Sequence, residues 1–216
     1  IMKVNKTINN LDKQNYNLSY LNIYGTRIED RDISLGLKDA YQLHAVYESL
    51  DDNDPVIPSI TLVEPKFFAV GSVVTGKTSK ARAKVVEFAS ATLKLSIVYL
   101  SGTFVLGETV TGLDSNGEVL TGIINDADGS VVAGSKVITD RYELNAAQTG
   151  FMYDCSRIVR KRGTATPIRK LKIVADYYSH SATGDYFGGQ SYLDTSYDDI
   201  PAFGEKYLSD YLDFRP

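Results

Sequence analysis

The residues that most directly suggest chemistry run from Gly71 to Thr78, where Gly71, Gly76, Lys77 and Thr78 spell the G-x-x-x-x-G-K-T pattern of a phosphate-binding loop. In such a loop, backbone amides and a helix N-terminus hold the phosphates. That chemistry needs a buried strand before the loop and a helix after it. Upstream, Pro65 and Lys66 interrupt the apolar run, which suits a sheet edge or the start of a module. Downstream, Ser79-Lys80-Ala81-Arg82-Ala83-Lys84-Val85-Val86 alternates small or apolar with basic residues, the period of a half-buried strand. Nor does an apolar strand ending in a magnesium-binding aspartate follow.

A second copy of the stretch decides between the two readings. Phe68-Ala69-Val70-Gly71-Ser72-Val73-Val74-Thr75-Gly76 is echoed 36 residues later by Phe104-Val105-Leu106-Gly107-Glu108-Thr109-Val110-Thr111-Gly112. Phe68, Gly71, Val74, Thr75 and Gly76 each keep their type at the matching position. The second copy continues into Leu113 and Asp114, so the local fold does not need Lys77. The pattern reads as a strand, a glycine turn and a strand, stated twice. Two such halves suggest a small β-barrel or sandwich closed by pairing the copies.

Other candidate chemistry has a plainer structural reading beside it. Asp194, Asp198 and Asp199 offer oxygen ligands for calcium, but the spacing is not that of an EF-hand loop and a capped turn fits better. Asp51, Asp52 and Asp54 before Pro55 read as a turn. Paired carboxylates for glycoside hydrolysis require a cleft, and those of this chain sit mostly in turns. Cys155 beside Ser156 matches no nucleophile motif and reads as a half-buried structural thiol. His44, on an alternating run, reads as structural or surface. Arg157, Arg160, Lys161, Arg162, Arg169 and Lys170 surround Gly163 as a basic patch, a solvated hairpin tip or a protein interface. No catalytic residue, cofactor or metal is assigned.

Composition narrows the classes. The chain has 216 residues, 43% of them hydrophobic, enough for one large or two small domains. A net charge of −4 with well-mixed signs makes no electrostatic case for a nucleic-acid partner. The single cysteine excludes an intrachain disulfide, and two histidines, His44 and His180, leave no zinc-ligand spacing. No apolar run is long enough to span a membrane, and no exporting leader is evident. Fifteen tyrosines against no tryptophan are unusual, and tyrosine suits half-exposed strand surfaces. The ending Asp213-Phe214-Arg215-Pro216 reads as a boundary within a longer chain.

The fold expected is mainly β: a β-sandwich-like domain split by an inserted small β-barrel or sandwich module made of two repeats. Residues 1–20 read as an extended entry segment. Residues 21–59 with 128–180 form the split β-domain, and 60–127 the inserted module. Within the module, strands are expected at Lys84 to Phe88, Thr92 to Tyr99, Thr103 to Leu106 and Glu118 to Ile124. Outside it, Ala40 to Ser49, Lys136 to Leu144 and Leu171 to Tyr178 read as strands, and Phe151 to Val159 fits a short helix or a strand. Residues 181–216 are rich in Tyr, Asp and Gly and read as ordered loop on a partner surface.

That last segment carries a resemblance. Asp176-Tyr177-Tyr178-Ser179-His180, Gly184-Asp185-Tyr186-Phe187, Tyr197-Asp198-Asp199-Ile200-Pro201 and the run from Tyr207 to Pro216 follow one another in a set order. Arg31-Asp32-Ile33-Ser34-Leu35-Gly36-Leu37-Lys38-Asp39-Ala40-Tyr41, with Val46-Tyr47-Glu48-Ser49, precedes them. The series resembles a large virion structural protein of T4-like tailed bacteriophages, including cyanophages. The resemblance implies a baseplate or tail-fibre-associated component of the virion tail, not an enzyme. It implies partners among other tail and baseplate proteins and a homo-oligomer within the particle. Tyr177, Tyr178, Tyr186, Phe187, Tyr192, Tyr197, Tyr207, Tyr211 and Phe214 are the interface candidates. The alternative is a carbohydrate-binding or depolymerising module acting on a host-surface glycan.

Overall fold

Alternating apolar and polar residues favour extended backbone, because side chains two apart share a face and are buried together. The computed structural model is accordingly mainly β with antiparallel sheets. It describes residues 6–13, 27–36, 40–149, 152–153, 155–178, 202–203 and 206–207. In chain order the strands are β1 (Lys6–Lys13), β2 (Asp32–Ser34), β3 (Ala40–Glu48), β4 (Ser59–Thr61), β5 (Val73–Gly76) and β6 (Arg82–Ala89). They continue with β7 (Lys94–Ser101), β8 (Thr109–Leu113), β9 (Val119–Ile123), β10 (Val131–Val132), β11 (Lys136–Val137) and β12 (Tyr142–Asn145). The series ends with β13 (Gln148–Thr149), β14 (Met152–Tyr153), β15 (Arg157–Arg160), β16 (Leu171–Tyr178), β17 (Ala202–Phe203) and β18 (Lys206–Tyr207). Among the described residues no helix is long and apolar enough to cross a membrane.

The chain divides into two compact units, residues 1–46 with 138–216, and residues 47–137. In the first unit β1 pairs with β16 from Lys6 opposite Tyr178 to Lys13 opposite Leu171, and β3 lies on the other side of β16. A second sheet has β15 between β12 and β2, with Ile158 opposite both Leu144 and Ile33. Ile33 and Ile158 from one sheet, and Ala40, Val46, Leu171 and Ile173 from the other, meet in a single buried cluster. Two sheets sharing one core is sandwich packing. Each fully buried Ile or Leu there contributes about 1.5–3 kcal/mol of burial.

The second unit holds a sheet in the order β10-β4-β7-β6-β5-β8-β9. Its two sides meet: Leu62 bridges Ile124, Val63 N donates to Ile123 O at 2.9 Å, and Asn125 N donates to Thr61 O at 2.9 Å. The sheet is thus a small closed barrel. β10 pairs with Ser59 and Ile60, the first part of the β4 edge, and the β9 end takes the next. Register shifts between Arg82 and Ala83 and between Val85 and Glu87 bend β6, as bulges do. Ile60, Leu62, Phe68, Val74, Val85, Leu95, Ile97, Phe104, Val110 and Ile124 fill the interior. Gly112 makes room for them, since a Cβ there would meet Val74 Cγ1 at 2.8 Å and Phe68 Cδ1 at 2.9 Å.

Two expectations change, and one open alternative is decided. Thr103 to Leu106 is loop, not strand, because Phe104 turns inward to the core and packs 5.7 Å from Tyr99. The run from Lys136 to Leu144 is interrupted by a 3-10 turn, Thr139–Arg141, between β11 and β12. The stretch Phe151 to Val159, open between a short helix and a strand, contains β14 and the start of β15.

Candidate functional site

The glycine echo marks a backbone requirement. Gly71 has φ +84° and Gly107 φ +71°, left-handed conformations that residues with a Cβ adopt at a cost. Each turn sends a buried phenylalanine, Phe68 or Phe104, into the barrel and then starts β5 or β8. These two strands are neighbours, and Thr75 stands opposite Thr111, its counterpart in the echo.

The Gly76-Lys77-Thr78 turn does bind an anion, and the anion is Glu108. This side chain is 5% exposed. Its carboxylate accepts from Thr78 N at 3.1 Å, Ser79 N at 3.0 Å, Ser79 Oγ at 2.7 Å and Val105 N at 2.8 Å. Two amides that a phosphate would also use are engaged elsewhere: Gly76 N donates to Ala81 O at 2.9 Å and Lys77 N to Thr109 O at 2.8 Å. Gly76 admits no side chain, because a Cβ would lie 2.5 Å from Ser79 Oγ and 2.6 Å from Glu108 Oε2. β6 follows the turn directly, where a nucleotide loop would open a helix. Burial by itself raises the Glu108 carboxyl, but the bonds from Ser79, Val105 and Thr78 outweigh it and hold its pKa below the usual carboxylate value. The arrangement locks two loops together and leaves no vacancy for phosphate.

A second buried carboxylate sits in the other unit. Asp176 on β16 is fully buried and lies 2.9 Å from His44 Nε2, while Tyr41 OH donates to Asp176 Oδ2 at 2.9 Å. His44 is therefore structural, tying β3 to β16. Nearby, Ser156 Oγ accepts from Ala40 N at 3.0 Å. Cys155 is half-buried. Asp51 Oδ1 accepts from Asn53 N at 2.9 Å, which is the side-chain-closed turn its sequence suggests.

The basic patch is not a hairpin tip. β15 and β16 belong to different sheets, so residues 161–170 form a crossover whose turn uses Gly163 at φ +81°. Its cations hold the loop together through carbonyls. Arg160 Nη1 donates to Thr164 O and Nη2 to Glu29 O, each at 3.3 Å, and Lys161 Nζ donates to Asp140 O at 2.9 Å. Arg31 Nε donates to Arg160 O at 3.2 Å and Arg141 Nη1 to Ala165 O at 3.3 Å.

Three of the interface candidates lie among the described residues. Tyr177 is half-buried against the first unit's core. Tyr178 ends β16 opposite Lys6, and Tyr207 lies in β18 opposite Ala202. Tyr186, Phe187, Tyr192, Tyr197, Tyr211 and Phe214 lie outside the described residues, as do His180, Asp194, Asp198 and Asp199. Two residues that organise the structure, Glu108 and Asp176, were not singled out from sequence. Glu108 had a visible signal, since it stands where the first copy has Ser72.

The outer surface of β8 and β9 has a distinct chemistry. Leu113 faces Val119, Thr111 faces Thr121 and Thr109 faces Ile123, with no charged side chain in either strand. Val119 is 73% exposed, Ile123 52% and Leu113 43%. A groove of about 260 Å³ runs beside it, lined by Val63, Glu64, Lys66, Thr109, Thr121 and Ile123 among others. Compared with known proteins, the chain matches no family model, no curated protein and no solved structure.

Proposed function

We propose that the chain is a structural component of a bacteriophage tail, at the baseplate or the tail-fibre attachment, that acts through protein–protein interfaces. The observation that carries the reading is the uncharged outer face of β8 and β9, three cross-strand pairs of Leu, Val, Ile and Thr in which the aliphatic positions remain exposed. Contiguous exposed apolar surface of this kind marks a protein contact. The ordered motif series from Asp176 to Pro216 supports the same reading. The glycan reading gains less support: the groove beside the face is lined by aliphatic, threonine and charged residues, without an aromatic ring for a sugar to stack on.

The test is a pair of substitutions on the face, Val119→Asp and Ile123→Asp, introduced into the full chain. Both side chains point outward, so the fold is retained and incorporation into tail particles is lost. Particles that assemble normally with both substitutions overturn this interface. Specific signal from the purified chain on a glycan array overturns the purely structural role.

A further inference from the structure

We propose that the outer edge of β9, at Val119 and Thr121, accepts an extended, uncharged segment of a partner protein, which joins the barrel as an antiparallel strand. The inference rests on the structural reading above and deepens it by naming the kind of partner this side of the barrel takes. Hydrogen bonds fix which way each backbone group of β9 points. Ile124 N donates to Glu108 O and Asp114 N to Glu118 O, each at 2.9 Å, so Glu118, Leu120, Gly122 and Ile124 are the residues turned toward β8. The N–H and C=O groups of Val119, Thr121 and Ile123 point the other way. Ile123 O accepts from Val63 N at 2.9 Å, so the chain covers that position itself. The same register would next bring Pro65 opposite Thr121, and proline has no N–H to give. Among the described residues no strand pairs with this side of β9 before Ile123, and Val119 and Thr121 are exposed.

The chemistry of the occupant follows from the edge. Sheet edges open to water are usually blunted by lysine, proline or a bulge. β9, Val-Leu-Thr-Gly-Ile, has none of these, and its register with β8 is unbroken. A row of backbone donors and acceptors is matched by another backbone in extended conformation, which is how strand addition reads a sheet edge. The chain already shows what this edge takes. Thr61, Leu62 and Val63, all uncharged, run antiparallel to it opposite Asn125, Ile124 and Ile123. A partner segment of like composition continues that line past Thr121 to Val119. Its N-terminal end enters the groove of about 260 Å³ lined by Val63, Glu64, Lys66, Thr121, Gly122 and Ile123. Lys66 Nζ lies 3.5 Å from Glu64 Oε2, so this ion pair demands no charge from the incoming strand.

Residue-resolved amide exchange on the full chain tests this, with a capped synthetic peptide of the sequence of residues 59–63, Ser-Ile-Thr-Leu-Val, as the probe. Without peptide, the Thr121 amide exchanges with solvent while those of Leu120 and Gly122 are protected. Saturating peptide slows exchange at Thr121 and Val119 about fivefold. Thr121→Pro removes the outward N–H and no bond to β8, and it abolishes the protection at Val119. A fully N-methylated peptide, which cannot donate to the edge, fails to protect the unchanged chain, so the test stands even where Thr121→Pro disturbs the fold. Equal binding of the two peptides overturns strand addition. So do side-chain shifts at Val119 and Ile123 without protection of the Thr121 amide, which place the contact on the outer face. No protection of Thr121 at any peptide concentration overturns it as well. Protection of Thr121 that rises with protein concentration before peptide is added makes a second copy the occupant and overturns the partner strand. No tail particle enters the experiment, so failure of strand addition and failure of the tail role are read separately.

Discussion

Glu108 occupies the turn that the G-x-x-x-x-G-K-T pattern would otherwise offer to a nucleotide. Thr78 and Ser79 turn their amides inward as a phosphate loop does, and a carboxylate from 29 residues downstream of Ser79 fills the cradle. Glu108→Ala removes the acceptor shared by four part-buried hydrogen bonds, and urea denaturation is expected to show a loss of about 1–3 kcal/mol. Lys77→Ala changes stability by less than about 0.5 kcal/mol, and ATP does not shift the melting temperature of either protein. The pH dependence has a defined sign. The Glu108 carboxyl titrates lower in the folded chain than its ordinary value of 4.5, so its stabilisation is full above that value and is lost as pH falls through the lower folded value. Glu108→Gln lacks this component, and the stability difference from wild type narrows in acid, as urea midpoints measured across pH 3–6 would show (roughly the window set by the carboxylate range).

At the level of elements, Gly112 and Gly117 separate two reasons for glycine. Gly112 lies under Phe68 and Val74, so Gly112→Ala forces the barrel core to shift and costs about 1–3 kcal/mol. Gly117 closes the β8–β9 turn at φ +83° in open space, so Gly117→Ala costs about 1 kcal/mol from backbone conformation alone. Thermal melts of the two variants check the order. Strands such as β3, β6 and β7 were legible in the sequence from their alternation, and β16 from its β-branched and aromatic run, because both are local signals. Thr103 to Leu106 misled for the same reason: the run is β-branched, yet burial of Phe104 and the Gly107 turn decide its path. The crossover at Gly163 looked like a hairpin because sequence shows the turn and not the sheets on either side. Of the candidate site, the failed nucleotide loop was legible from the echo. Its actual ligand was not, since no local rule connects Glu108 to Thr78 and Ser79 across a barrel.

For the molecule as a whole, two separate cores imply two separable responses. Ile97→Ala opens a cavity in the barrel and Ile33→Ala one in the sandwich, each costing about 2–5 kcal/mol. Hydrogen exchange is expected to rise through residues 59–124 for the first variant and through β2, β15 and β16 for the second. Uniform loss of protection in both would show one cooperative body instead. The barrel closure through Leu62 and Ile124 has a colloidal consequence. An open sheet exposes a row of unpaired amides and carbonyls along its outermost strand, a template on which other chains grow. Here the β4 edge is divided between β10 and the end of β9, so the edges left at the rim are short: the two-residue β10 and the outer side of β9 before Ile123. Many copies can therefore crowd together, as the proposed assembly demands, without the barrels seeding cross-β fibres between neighbours.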